Sequence, residues 1–240
     1  MKAFITGLGW VTPANMGRGR DHDRFEMIPG ELPDITRKTV FDKPYPHFGR
    51  LDRYSRIGLS AVAFALKDAQ LNTWTHKRPI GIIASTVHGC LETDLDYYDT
   101  VLPEDGRLAS PNLFAYTLPN SYIGEAAIRF GLTGASYIIG VSTLADIWCL
   151  RLALVGISGG QFNKALVGMC DLGQRPPYSD SGSAVSGAVF FVIEKKVDRK
   201  CLIYGELGLS PNGELMFDGA EVKDLPSLAQ RCIISFSKKK

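Results

Sequence analysis

The stretch Gly134-Ala135-Ser136-Tyr137-Ile138-Ile139-Gly140-Val141-Ser142-Thr143 decides the fold of this 240-residue chain. Its apolar centre is bounded by glycines, which reads as a short strand over residues 136–140. Leu144-Ala145-Asp146-Ile147-Trp148-Cys149-Leu150-Arg151-Leu152-Ala153-Leu154 follows at once and reads as a helix. Thr143 and Asp146 form Thr-x-x-Asp, so Thr143 is expected to cap that helix, with an acid in its first turn favoured by the helix dipole. The helix is apolar almost all round, with Asp146 and Arg151 as exceptions, and must be covered on nearly every side.

The same alternation extends outward. Residues 3–9 read as a strand ending in glycines. Residues 12–50 read as a long irregular excursion, a length uncommon unless it is functional or interfacial. Residues 51–70 form an amphipathic helix, with Ile57, Ala61, Phe64, Ala65 and Ala69 on one face. Residues 79–84 are a buried strand, and 91–102 a helix with Glu92, Asp94, Asp96 and Asp99 on an acidic face. Residues 111–119 are a loop carrying Leu113, Phe114, Tyr116 and Leu118. Asn120 is a plausible cap for a helix that Gly131 stops.

Strands follow at 164–170, 187–194 and 202–209. The run at 187–194 is nearly all apolar, as in a strand buried on both faces. A polar loop over 171–183 separates the first two. Beyond Asn212 the pattern gives a short helix at 225–229 and a last strand at 232–236. Strands and helices alternating in this way argue for an α/β layered domain with a mixed sheet.

Composition excludes several classes. The chain is 45% hydrophobic and 22% charged with a formal net charge of +2, and no basic stripe interleaved with aromatics suggests nucleic acid. Cys90, Cys149, Cys170, Cys201 and Cys232 are widely spaced with no CxxC pair, so no zinc or thioredoxin site, and no metal or cofactor, is expected. No apolar run reaches the ~18 residues of a membrane span and no secretory signal leads the chain, which gives a reduced, cytoplasmic protein as the expectation.

Candidate chemistry is sparse. His88-Gly89-Cys90 is the single close Cys/His pair, readable as an activated thiol or as a loop lining an interface. Thr143 would need a positioned base to act as a nucleophile. Cys149 reads as a small buried packing residue. The acidic face of 92–99 reads as solvated or as a docking surface for a basic partner. The apolar loop 113–118 reads as core or as a contact surface.

Several motifs in order resemble the N-terminal half of a β-ketoacyl synthase, a thiolase-fold condensing enzyme. They are Ile5-Thr6-Gly7-Leu8-Gly9-Trp10-Val11-Thr12-Pro13, Gly49-Arg50-Leu51-Asp52-Arg53-Tyr54-Ser55-Arg56, Leu118-Pro119-Asn120-Ser121, Phe130-Gly131-Leu132-Thr133-Gly134 and Ala165-Leu166-Val167-Gly168-Met169-Cys170-Asp171. The resemblance covers roughly residues 1–208 and implies a mixed five-stranded sheet with helices on both faces, in one ketosynthase-like domain over 1–240. Residues 210–240 are then an extension.

The resemblance also marks departures. Thr143 stands where the family has its nucleophilic cysteine. The two family histidines come from a C-terminal half that 240 residues do not complete, and His22, His47, His76 and His88 sit in other motifs. The loop 171–183 is shorter than the family's insert. The chain therefore resembles a chain length factor, the inactive relative that pairs with an active ketosynthase, of the short kind associated with aryl polyene and flexirubin-type pigments.

What that resemblance implies is a heterodimer with an active β-ketoacyl synthase, and an acyl carrier protein met through the complex. Tyr137, Ile138 and Ile139 would form the contact edge, and Leu113, Phe114, Tyr116 and Leu118 would lie beside the acyl tunnel. The open alternatives are an acyltransferase or thioesterase using Cys90 and His88, and a homodimeric acyl-binding protein without chemistry.

Overall fold

The computed structural model describes residues 2–173, 185–197 and 201–238. In chain order the elements are β1 (Lys2–Val11), β2 (Met16–Arg18), α1 (Arg37–Val40), α2 (Arg53–Asp68), β3 (Ile80–Thr86), α3 (Leu91–Val101), α4 (Pro111–Phe114), α5 (Ser121–Phe130), β4 (Ser136–Gly140), α6 (Trp148–Ser158), β5 (Lys164–Asp171), β6 (Gly187–Glu194), β7 (Gly205–Leu209), β8 (Leu215–Phe217), β9 (Ala220–Glu221) and α7 (Leu225–Ser237).

One mixed sheet runs β4-β3-β5-β6-β1-β7-β8-β9, with β2 paired on β1. β3 is parallel to β4 and β5, whereas β6 is antiparallel to both β5 and β1. The parallel trio β4-β3-β5 is fed by crossover helices, as parallel strands require. The five strands β4-β3-β5-β6-β1 form the expected mixed core, and β7–β9 extend it beyond five.

Each face has its own core. On one, α2 and α5 pack through Ile57, Ala61, Ala65, Tyr122 and Ala126 against Ile82, Leu166, Phe190 and Val192. On the other, α6 and α7 supply Leu150, Ala153, Leu154, Leu228, Ala229 and Cys232 against Ile83, Val167, Phe191 and Ile193. Alternate residues of β5 and β6 thus face opposite cores, which explains their unbroken apolar runs. β1 can lie tight on α2 because Gly7 and Gly9 present no Cβ: one added at Gly9 would meet the backbone of Ala61 and Phe64 at 2.6 Å.

α2 begins two residues after Leu51 because Asp52 caps it, its Oδ1 accepting from the Ser55 N–H at 3.0 Å. Gly131 closes α5 in the left-handed region at φ 63°, where glycine carries no Cβ penalty. Asn120 precedes α5 without a side-chain cap. The excursion 12–50 buries Phe25, Ile35, Val40, Phe41 and Phe48, so it is anchored.

The C-terminal segment corrects the sequence reading. Residues 232–236 are helical, not a strand: Leu225, Leu228, Ala229, Cys232 and Ile233 repeat at helical spacing on one buried face. Asp224 Oδ1 accepts from the Ser227 N–H at 2.6 Å and Pro226 sits in the first turn, a start signal that was legible. Arg231 donates to the carbonyls of Phe217, Ala220 and Glu221, pinning α7 to the β8–β9 hairpin.

Candidate functional site

The carboxyl ends of β3, β4 and β5 gather the candidate residues. Gly140 stands beside Thr86 in register, and the Val141 N–H donates to the Thr86 carbonyl at 2.9 Å. Asp171 closes β5 with a buried carboxylate. Its Oδ2 accepts from Thr86 Oγ1 at 3.0 Å, from the His88 N–H at 3.1 Å and from the Val87 N–H. Its Oδ1 lies 3.0 Å from His88 Nδ1. Gly89 turns the loop at φ 61° while its N–H donates to Thr86 Oγ1 at 2.8 Å. Asp171 therefore satisfies the N–H groups of Val87 and His88 and orients the His88 ring, the arrangement that would fix a general base.

Among the described residues, no nucleophile is hydrogen-bonded to that ring. Cys90 Sγ donates to the Asp94 carboxylate at 3.6 and 3.7 Å. Burial, and then Asp94, push the Cys90 thiol up to about 12, the reverse of activation. The Cys90–His88 pairing expected of an activated thiol is thus not formed: the two side chains serve different carboxylates.

The strand–helix junction also differs from its expected form. Thr143 does not cap α6, which begins at Trp148 with Ile147 as its uncapped N-terminal neighbour. Thr143 Oγ1 accepts from the Ala145 N–H at 3.3 Å, and the Asp146 N–H donates to the Thr143 carbonyl at 3.1 Å. Asp146 Oδ1 accepts from the Trp148 N–H at 2.7 Å. These short-range bonds hold 143–146 in turns and compete with helix, as Thr and Asp side chains do near helix starts. Thr143 is exposed, and its hydroxyl accepts a hydrogen bond within its own turn. Cys149 falls in the first turn of α6, yet it is fully buried and burial raises its thiol to about 12.

The expected contact residues divide. β4 is the terminal strand, and its outer edge pairs with no described strand. Ile138 packs on the core beneath α2, while Tyr137 and Ile139 pack on the other. Tyr116 joins the core with Ile138. Phe114 and Leu118 stand 61% and 62% exposed. Leu113 is half-buried on α4, which Ser110 caps.

The apolar helix, expected to need cover on nearly every side, keeps an outer stripe open on α6: Trp148 and Val155 are 56% and 55% exposed, with Leu152 half-buried between them at i, i+4, i+7. α7 covers part of the same sheet face but leaves this stripe open. The feature the sequence reading missed is the role of Asp171, whose only signal was an acid ending an apolar strand.

Thiol chemistry tests this geometry. Alkylation at pH 8 is expected to reach half-buried Cys201 first and to spare Cys90, Cys149, Cys170 and Cys232, all buried. The thiol introduced by Thr143→Cys is expected to titrate near the ordinary ~8.5, since the residue stands outside the helix terminus that depresses such values. An alkylation-versus-pH curve centred below about 7 would contradict that placement.

No family model matches this chain. It is 25% identical over 201 residues to a protein of Streptomyces halstedii whose name assigns it as a polyketide β-ketoacyl synthase, matching 71% of this chain and 46% of that one. The chain thus spans about half the length of this curated relative. Among solved structures it resembles a chain from the complex of a type II polyketide ketosynthase with its acyl carrier protein, with a TM-score of 0.70, 19% identity, and coverage of 86% of this chain and 67% of that one. It also resembles a ketosynthase in complex with its chain length factor from Xenorhabdus doucetiae: TM-score 0.57, 19% identity, 97% of this chain and 90% of that one. The fold is that of the thiolase-like ketosynthases. No helix among the described residues is long and apolar enough to cross a membrane.

Proposed function

We propose that this chain is a non-catalytic, ketosynthase-like subunit of the chain length factor type. It pairs with an active β-ketoacyl synthase during polyketide or aryl polyene chain elongation and meets an acyl carrier protein through that complex. The observation that carries this reading is the strand–helix junction. Acyl transfer by this fold needs a thiolate at a helix N-terminus; here the position belongs to an exposed, turn-bound Thr143, and Cys90 and Cys149 on either side are pushed up to about 12.

Pairing is supported by the open edge of β4 and the uncovered stripe of α6. An unpaired edge strand offers a row of backbone donors and acceptors to another strand. The near-complete mutual coverage with a chain from a ketosynthase–chain length factor complex agrees with it.

The test is co-expression with a ketosynthase encoded nearby, followed by acyl loading of the purified complex. A stable complex with acyl label confined to the partner is expected. Label on this chain overturns the non-catalytic reading, and label lost with Cys90→Ala revives the acyltransferase alternative. A lone homodimer that binds acyl carrier protein favours the acyl-binding alternative.

A further inference from the structure

The excursion between β3 and α5 concentrates exposed apolar surface and negative charge. Tyr98, Leu102, Leu108, Phe114 and Leu118 are each 56–64% exposed. α3 and α4 pack on each other, and the Tyr97 and Phe114 rings meet at 5.4 Å. Single exposed apolar residues need no explanation, but a group of this density marks a contact surface.

Residues 91–110 hold six carboxylates, Glu92, Asp94, Asp96, Asp99, Glu104 and Asp105, against Arg107 alone, a net −5. The whole chain is +2, so the remainder carries +7. The charge is segregated and does not follow from an acidic composition. Glu92 and Asp94 turn inward, to Arg53 at 3.7 Å and to the Cys90 thiol. Asp96, Asp99, Glu104 and Asp105 are exposed around the apolar group.

We infer that this excursion docks a different protein whose facing surface is apolar and ringed by lysine or arginine, and that its carboxylates discriminate against a second copy of this chain. The inference rests on the subunit reading proposed above and specifies its partner's chemistry. A symmetric contact between copies would place the patch on itself, −5 against −5, because both subunits use the same surface. Like charges so juxtaposed are costly and act against the wrong partner. A head-to-tail contact with the +7 remainder of another copy does not close on itself unless the rotation does, and would build open chains. A basic partner satisfies the carboxylates and covers the apolar group together.

Salt separates these cases. For the complex with the co-expressed ketosynthase, affinity is expected to fall at least about tenfold between roughly 0.05 and 0.5 M salt, because screening weakens attraction between opposite charges. The triple variant Asp99→Asn, Glu104→Gln, Asp105→Asn is expected to bind more weakly at low salt, with a flatter salt dependence. Asn is chosen at 105 because that residue sits at φ 51°, which Asn tolerates. Alone, the wild-type chain is expected to stay monomeric at low salt by sedimentation, and the triple variant to self-associate more strongly. An unchanged melting temperature shows that the variant folds.

A complex whose affinity ignores both salt and variant overturns this inference and leaves the subunit reading standing. Low-salt polymers or dimers of the wild-type chain also overturn it. Failure to form any complex at any salt overturns both.

Discussion

Asp68→Ala is expected to destabilise the protein by about 3–5 kcal/mol, the range for breaking a buried ion pair from one side. For a chain of this size that lowers the melting temperature by roughly 10 °C or more. Asp68 ends α2 with its carboxylate wholly inside. Arg20 Nε donates to Oδ1 at 2.8 Å, while the Leu8 N–H and the Tyr204 hydroxyl donate to Oδ2 at 2.9 and 2.7 Å. One side chain thus ties β1, the turn after β2, α2 and the residue preceding β7. Alanine removes at once the acceptor shared by the buried Leu8 N–H and the Tyr204 hydroxyl.

Asp68→Asn keeps an acceptor and is expected to cost less, about 1–2 kcal/mol, as for one or two lost hydrogen bonds. The pH dependence has a definite sign. Burial raises the Asp68 carboxyl above its ordinary 3.8, against the opposing hydrogen bonds from Tyr204, Arg20 and Leu8. The folded state therefore keeps this proton to higher pH than the unfolded chain, and Asp68's contribution falls as pH rises through the window opening at 3.8. Urea denaturation at pH 4 and pH 7 is expected to show the stability gap between wild type and Asp68→Asn wider at the lower pH; a gap that narrows on acidification contradicts the assignment.

The second large effect falls on association. Trp148→Glu is expected to weaken the proposed complex with a ketosynthase by about 2–3 kcal/mol, roughly 30- to 150-fold. This follows from burying the exposed half of a tryptophan, the residue type most enriched in interface hot spots. The isolated chain is expected to keep its stability within about 0.5 kcal/mol, as for other surface changes, because the backbone bond from Trp148 to Asp146 does not depend on the indole. Calorimetric binding and a melting curve of the same variant measure the two. Full affinity in Trp148→Glu would show that the α6 stripe is not part of the contact.

Much of the fold was legible because its signals are local. Gly131 after α5 acts through its neighbours in sequence, and the apolar runs of β5 and β6 show their burial directly. The α7 helix was equally written there, in the spacing from Leu225 to Ile233 and the Asp224-Leu225-Pro226-Ser227 start, but a short apolar run at 232–236 also fits a strand. Periodicity alone does not separate a buried strand from a buried helix segment over so few residues. At the strand–helix junction, Thr143 and Asp146 were read as a cap and a first-turn acid, whereas both side chains satisfy nearby N–H groups in turns. Both outcomes use the same residues, and a difference of one or two hydrogen bonds chooses between them.

The sequence by itself determined the alternation of strands and helices and the burial of β1, β3, β5 and β6. The tertiary structure decided what those residues face. Asp171 meets His88 across 83 positions and Asp68 meets Tyr204 across 136. Cys90 turns to Asp94 instead of His88, and α6 keeps one stripe uncovered although its composition asks for burial all round. Local patterning reports which groups want water and which do not; only the packing of the whole chain settles which partners remain to satisfy them.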